Sequence, residues 1–260
     1  MRRLRPTDTV QTAAFAVPAG AAEPAFAAAD GGAERLRCAS VLKAPLLWAA
    51  AGLAPYAGAP ADWERLAREA VTVSANAPTV EVWDACGGEA LLGALAARTA
   101  ARLELEREPG SPRSFGRVLV GAQDVARAYA ALALSDDGAA RRVRGWMLEV
   151  PARQTFGVRA PVARGLGVDA ASVGVKAGWF CDSDEERIRT HVVTVTATGA
   201  GVVGTVVLTA LGAGAAARRA YSAAYRYGDE VLGVHEQHAG AVVRAATERA
   251  LAAARTLLAA

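Results

Sequence analysis

Cysteine and histidine are scarce in this chain. Three of each occur in 260 residues: Cys38, Cys86 and Cys181, and His191, His235 and His238. None follows a metal-ligand spacing, which argues against a structural zinc site and a disulfide scaffold. An odd set of thiols fits a reducing compartment, so a Cys38–Cys181 disulfide is not expected. Long apolar runs are missing too. No uninterrupted stretch approaches the ~20 residues that span a bilayer, and the basic start Met1-Arg2-Arg3-Leu4-Arg5 is followed by no apolar signal core. The expectation is a cytoplasmic protein with no membrane partner. Charge of one sign is not in excess either. Lys and Arg number 29 against 26 Asp and Glu, scattered along the chain, so no footprint for nucleic acid stands out. The densest basic cluster, Arg141-Arg142-Val143-Arg144, reads as a solvated helix face.

What is present is apolar material: 53% hydrophobic residues against 21% charged, enough for a globular core. Val10 to Val17 and Pro24 to Ala29 read as strands joined through Pro18-Ala19-Gly20. Helical periodicity covers Ser40 to Leu53, with Pro45 tolerable in the first turn. A second helix follows around Asp62 to Glu69, and others over Gly87 to Leu103, Ala122 to Leu134 and Ala139 to Glu149, with a long loop expected from Glu104 to Gly121. From Ser172 the period becomes two, giving strands at Ser172 to Cys181, Ile188 to Thr198 and Val202 to Leu211. Alanine-rich helices at Ala215 to Tyr227 and Gly240 to Leu258 close the chain. Consecutive short-connected strands form an antiparallel meander. The order predicts an α+β fold in which the first hairpin rejoins that meander as a five-stranded antiparallel sheet flanked by helices. One domain is expected, with a sheet lobe of about residues 1–39 and 165–260 and an inserted helical lobe of about 40–164.

The chemistry centres on Cys38-Ala39-Ser40-Val41-Leu42-Lys43. If a helix begins near Ser40, a spacing of three puts Ser40 and Lys43 on one face, with the hydroxyl at the positive end of the helix dipole. A serine is a poor nucleophile until a base takes its proton. A lysine amine becomes that base when burial or a second cation lowers its pKa from about 10.4. The alternative is a capping serine followed by a solvated lysine. Two further pieces tell against that alternative. Ser74-Ala75-Asn76 offers a hydroxyl and an amide after the second helix, and Lys176-Ala177-Gly178-Trp179 lies on the first strand of the meander.

Ser-x-x-Lys, Ser-x-Asn and Lys-x-Gly in that order, each on its expected element, resemble the penicilloyl-serine transferase superfamily, and within it the class A β-lactamases. The resemblance runs from about Val10 to Leu211. It implies that Ser40 is the acylated nucleophile and that Lys43 helps deprotonate it. Ser74 would relay a proton to the leaving group, while Lys176 holds Ser74 and the substrate. Asn76 would orient substrate and Lys43. The backbone N–H groups of Ser40 and Trp179 would form the oxyanion hole, worth about 3 to 4 kcal/mol per donor.

The departures are as specific. The usual third motif has a threonine between lysine and glycine, where this chain has Ala177. Trp179 stands where a small or hydroxyl residue is common. A lost hydroxyl-to-carboxylate bond costs on the order of 1.5 to 3 kcal/mol of binding. The interval from Ser40 to Ser74 is short for a class A enzyme, so a trimmed helical lobe is expected. Glu108 lies about where the family keeps the glutamate that activates the deacylating water. Its flanks, Gly110-Ser111-Pro112, lack the family's loop motif, and Glu104 and Glu106 compete with it.

Other features reduce to structure. Gly199-Ala200-Gly201-Val202-Val203-Gly204 fits G-x-G-x-x-G but opens no helix and reads as a β-turn. His235-Glu236-Gln237-His238 lacks H-E-x-x-H spacing and reads as a solvated turn, not a metal site. Asp182-Ser183-Asp184-Glu185-Glu186 reads as an exposed hairpin turn. No cofactor is expected. Three readings stay open: a serine hydrolase or acyltransferase acting on a small-molecule amide or ester, a true β-lactamase, and a non-catalytic descendant of the fold.

Overall fold

A computed structural model describes residues 4–29, 34–106, 114–182, 186–225 and 230–259. Strand β1 (Thr9–Pro18) turns back into β2 (Ala25–Ala29), and the chain reaches α1 (Lys43–Ala50) through the short strand β3 (Leu36–Arg37). Helices α2 (Pro60–Thr72), α3 (Ala77–Ala85) and α4 (Gly88–Thr99) follow. Next come the short strands β4 (Glu104–Leu105) and β5 (Val118–Val120), and then α5 (Ala122–Leu134), α6 (Gly138–Leu148) and α7 (Arg159–Leu166). The meander is β6 (Val173–Asp182), β7 (Arg187–Thr198) and β8 (Gly201–Gly212), followed by α8 (Ala215–Tyr225), α9 (Glu230–His235) and α10 (Ala241–Ala259).

The large sheet has the order β2-β1-β8-β7-β6 and is antiparallel throughout. The first hairpin thus rejoins the meander, as the element order predicts. Side chains alternate between faces along each strand. Ala13, Phe15 and Val17 of β1 join Val125, Ala126 and Tyr129 of α5 on one face. Ala14 joins Val243 and Leu251 of α10 on the other. Covering both faces demands small residues at close contacts. The register sets Phe15 beside Gly204, where a β-carbon would fall 2.0 Å from the ring, so the glycine lets the ring lie across β8. The first core also takes in α1, which is buried along its whole length, and Trp63, Trp83 and Trp146 of the helices around it.

Several expectations shift. The predicted loop from Glu104 to Gly121 contains β4 and β5, and β5 pairs with both β3 and β4 in a second, three-stranded sheet. Strands of two and three residues are too short to show a period. Helix α1 begins at Lys43 rather than near Ser40, and the segment before it is a turn closed by Val41 N–H to Cys38 O and Lys43 N–H to Ser40 O. Helices α3, α7 and α9 go beyond the predicted elements. His235 is not in a solvated turn: it is fully buried, and residues 236–240 form a π-helical turn that carries α9 into α10. Of the basic cluster, Arg141 and Arg142 are exposed, but Arg144 turns inward to the carbonyls of Leu132 and Ser135. Residues 183–185 of the expected acidic turn lie outside the described residues. The cysteines are free thiols. Among the described residues no helix is long and apolar enough to cross a membrane, and no group of three His, Cys, Asp or Glu could hold a metal ion.

Candidate active site

The site lies where the turn before α1, the segment between α2 and α3, and β6 meet. Ala39, immediately before Ser40, has φ 49°, in the left-handed region. A non-glycine residue there costs roughly 1 to 2 kcal/mol and stays only where its surroundings fix it. They do so here. Cys38 N–H donates to Val118 O at 2.8 Å, and the Tyr129 hydroxyl donates to Val41 O at 2.6 Å. Strand β6 presses against the same turn at Gly178. A β-carbon on Gly178 would come within 2.5 Å of Ser40 N and 2.8 Å of Val41 N. The glycine of the third motif is therefore required by the approach of two backbones.

Lys43 follows from the first turn of α1, fully buried. Its Nζ donates to Ser74 O at 2.6 Å, Ala75 O at 2.9 Å and Asn76 Oδ1 at 2.8 Å, and lies 5.1 Å from the centroid of the Phe115 ring. One lysine thus ties together the whole second motif. The segment is further held by Gln154, which donates to Val73 O at 3.1 Å, and by Thr79, whose hydroxyl donates to Ala75 O at 2.9 Å. Ser74 has φ 61°, a second left-handed non-glycine residue. Its hydroxyl accepts from Lys176 Nζ at 2.9 Å, and the same ammonium donates to Ala177 O at 3.0 Å.

Burial, and after it the charge of Lys176, pushes Lys43 down to about 6, while burial alone takes Lys176 to about 7. The three oxygens around Lys43 favour its charged form and oppose that shift. The direction follows from two ammonium groups sharing a dry site.

In front of these groups lies a cavity of about 390 Å³ lined by Ser40, Asn76 and Trp179. Val80, Phe115 and Phe180 add apolar surface to its lining, and Arg37 and Arg117 add two guanidinium groups. Trp179 also stands edge-on to Phe156, with centroids 6.1 Å apart. Ala177 is elsewhere. Its side chain lies on the opposite face of β6 from Lys176, 1% exposed in the core with Phe156, Val158 and Val175, and it does not line the cavity.

Glu108 lies outside the described residues. Its competitors are engaged elsewhere. Glu104 is exposed with Arg35 3.8 Å away. Both oxygens of Glu106 accept from Arg37, at 2.7 and 3.0 Å, and one also accepts from Arg117 at 3.1 Å. Burial alone would raise Glu106, but the hydrogen bonds and charge of Arg37, then Arg117, outweigh it and hold the carboxyl below the usual range. A carboxylate so held is a poor base. Sequence reasoning missed Phe115, Phe180 and Gln154. Aromatic residues at cavity walls and a lone buried amide carry no spacing signal.

Neither a family model nor a curated protein matches the chain. Solved structures do. A β-lactamase from Streptosporangium roseum aligns over 94% of this chain and 93% of its own at 17% identity, with a TM-score of 0.58. A β-lactamase from Sphaerobacter thermophilus aligns over 90% of both chains at 17% identity and a TM-score of 0.56. A class A β-lactamase from Mycobacterium abscessus covers 93% of both at 15% identity and 0.56. At such identities the likeness speaks to architecture: the chain has the fold of the class A β-lactamases.

Proposed function

We propose that the protein is a serine hydrolase or acyltransferase that passes the acyl group of a small-molecule ester or amide through Ser40. One observation carries this reading: two buried lysines converge on the second motif behind the cavity that Ser40 lines, Lys43 on its carbonyls and amide, Lys176 on the Ser74 hydroxyl. Lys43 in its amine form takes the Ser40 proton as Oγ bonds to the substrate carbonyl carbon. The N–H groups of Ser40 and Trp179 face the oxygen that gains charge. Collapse breaks the bond to the leaving group, which takes a proton from Ser74, and Lys176 restores it. Water or a second nucleophile then releases the acyl group. A value near 6 leaves Lys43 mostly in the amine form at pH 7.

β-Lactams should be poor substrates. With no hydroxyl after Lys176, a substrate carboxylate meets a charge without the directed bond that orients it, and the arginines that line the cavity, Arg37 and Arg117, are already bonded to Glu106. A second reading, a descendant of the fold without turnover, is favoured by Lys43: its three carbonyl acceptors match the three N–H groups of an ammonium and leave no lone pair for Ser40. Intact-protein mass spectrometry after exposure to activated aryl esters, a fluorophosphonate and a panel of β-lactams separates the two. Acylation at Ser40, absent in Ser40→Ala, supports the hydrolase. An unlabelled wild type supports the second reading.

A further inference from the structure

The turn that carries Ser40 is fastened to the large sheet at one more point, and the sheet departs from regular pairing to provide it. The β7–β8 register runs Ile188 with Leu211 and Arg189 with Ala210, then resumes at Val192 with Val207. Between these pairs two backbone N–H groups go to side chains. Thr209 N–H donates to His191 Nδ1 at 3.1 Å, and Thr190 N–H donates to Thr209 Oγ1 at 3.2 Å. The Thr209 hydroxyl in turn donates to Thr190 O at 2.7 Å. Because Nδ1 accepts, Nε2 carries the proton, and it donates to Arg37 O at 2.9 Å.

The position on the sheet gives this bond its consequence. His191 is the cross-strand partner of Gly178 in the β6–β7 register, and direct partners project from the same face. On that face Gly178 admits the backbone of Ser40 and Val41, and beside it the buried imidazole reaches the carbonyl three residues upstream of Ser40. The segment from Arg37 to Val41, with its left-handed Ala39, is thereby held from the sheet side by one directed bond. The bonds from Cys38 and Tyr129 hold it from β5 and α5.

We infer that His191 is a positioning residue for Ser40: oriented by the Thr209 N–H, its imidazole holds the Arg37 carbonyl and sets where the Ser40 turn lies over Gly178. This rests on the reading of Ser40 as nucleophile. It assigns His191 no contact with substrate.

The test uses two side chains that divide the imidazole's bonds. His191→Gln retains a donor at the reach of Nε2, whereas His191→Asn retains an acceptor near Nδ1 and falls short of Arg37. Two measurements are made on each: amide hydrogen exchange in peptides covering residues 36–42, and the rate and concentration dependence of Ser40 acylation by an activated aryl ester. His191→Asn should speed exchange in that segment and lower the maximal acylation rate about 10- to 100-fold with little change in KM, the signature of a displaced nucleophile. His191→Gln should recover most of both. Val206→Ala, a core substitution in the same sheet, controls for lost stability and should leave both readouts near wild type at temperatures where it is folded. The inference is overturned if His191→Asn behaves as wild type, if His191→Gln is no better than His191→Asn, or if Val206→Ala reproduces the defect. A wild type that Ser40 reagents do not label refutes the hydrolase reading and with it the acylation arm. The exchange comparison then decides alone whether His191 holds the turn.

Discussion

At the scale of single residues, Lys43 stands between two roles. As an ammonium it satisfies three oxygens of the second motif; the proposed acylation needs it as an amine, which burial with the nearby Lys176 favours. Acylation that depends on the amine form should rise with pH through an apparent value near 6, which belongs to the coupled lysines together. A pH–rate profile with an activated ester checks this, and a rate that falls between pH 5 and 7 contradicts the base role. Lys43→Ala should abolish labelling and also loosen Ser74 to Asn76, since it removes three bonds at once. Ala177 yields a different expectation from the one its place in the third motif suggests. Its methyl lies in the apolar core with Phe156 and Val175. Ala177→Thr should therefore lower stability by about 1 to 3 kcal/mol, the cost of a buried hydroxyl without a partner, and leave turnover of a chromogenic cephalosporin no higher. A calorimetric scan and a cephalosporin assay on the same preparation test both halves.

At the scale of elements, the sequence shows most clearly what repeats over a long stretch. The meander strands β6, β7 and β8 and helices α2, α5, α6 and α10 are legible because each sustains its period for ten residues or more. Of the helices missed, α9 has only six residues, and α3 and α7 carry Pro78 and Pro161 in their first turns. There a proline costs no hydrogen bond, yet in sequence it reads as a breaker. Strands β3, β4 and β5 exist only as partners of one another, and a strand of two residues has no local signature. In the candidate site, the three motifs were legible as residue types at short fixed spacings, whereas Phe115, Gln154 and the fastening of Arg37 by His191 depend on contacts across long chain separations. Gly178 belongs to both groups. It was legible as the end of a motif, but its reason, the approach of β6 to the Ser40 turn, is tertiary. Gly178→Ala would force a β-carbon against backbone atoms that cannot swing aside. We expect it to reduce Ser40 labelling by about 100-fold or more, with the overall secondary-structure content unchanged by circular dichroism. Labelling at the wild-type rate would show that the two backbones separate freely.

At the scale of the whole molecule, the buried titratable groups combine into one pH dependence of stability. Lys43 and Lys176 have folded values of about 6 and 7 against an ordinary 10.5, and His191 and His235 about 4 and 3 against 6.5. For each, the unfolded chain holds the extra proton in the window between the two values, so stability rises with pH there and is lost as pH falls through it. The histidine windows lie below pH 6.5 and the lysine windows above about 6, so together they tilt the curve from acid to mildly alkaline pH. Glu34, Glu106 and Asp137, each held below the usual carboxylate range by partners that outweigh burial, add to the loss in acid. The opposite linkage begins near pH 9, where burial keeps the Cys38 thiol protonated up to about 12 and Tyr129 well above its ordinary range. There the unfolded chain loses its protons first and further base destabilises. The melting temperature should therefore climb from pH 5 to about pH 9 and then level or fall, instead of peaking near neutrality. Between pH 7 and 9 each lysine should contribute on the order of 2 kcal/mol, or about 4 to 8 °C for a chain of this size. Scanning calorimetry on wild type and Lys176→Met across that range is the check. The variant should climb less steeply, because the proton that Lys176 sheds on folding is gone. A flat wild-type curve, or equal slopes in the two proteins, would mean that Lys176 stays charged in the folded state, and the arrangement of two lysines around Ser74 would then need a compensating anion in the cavity.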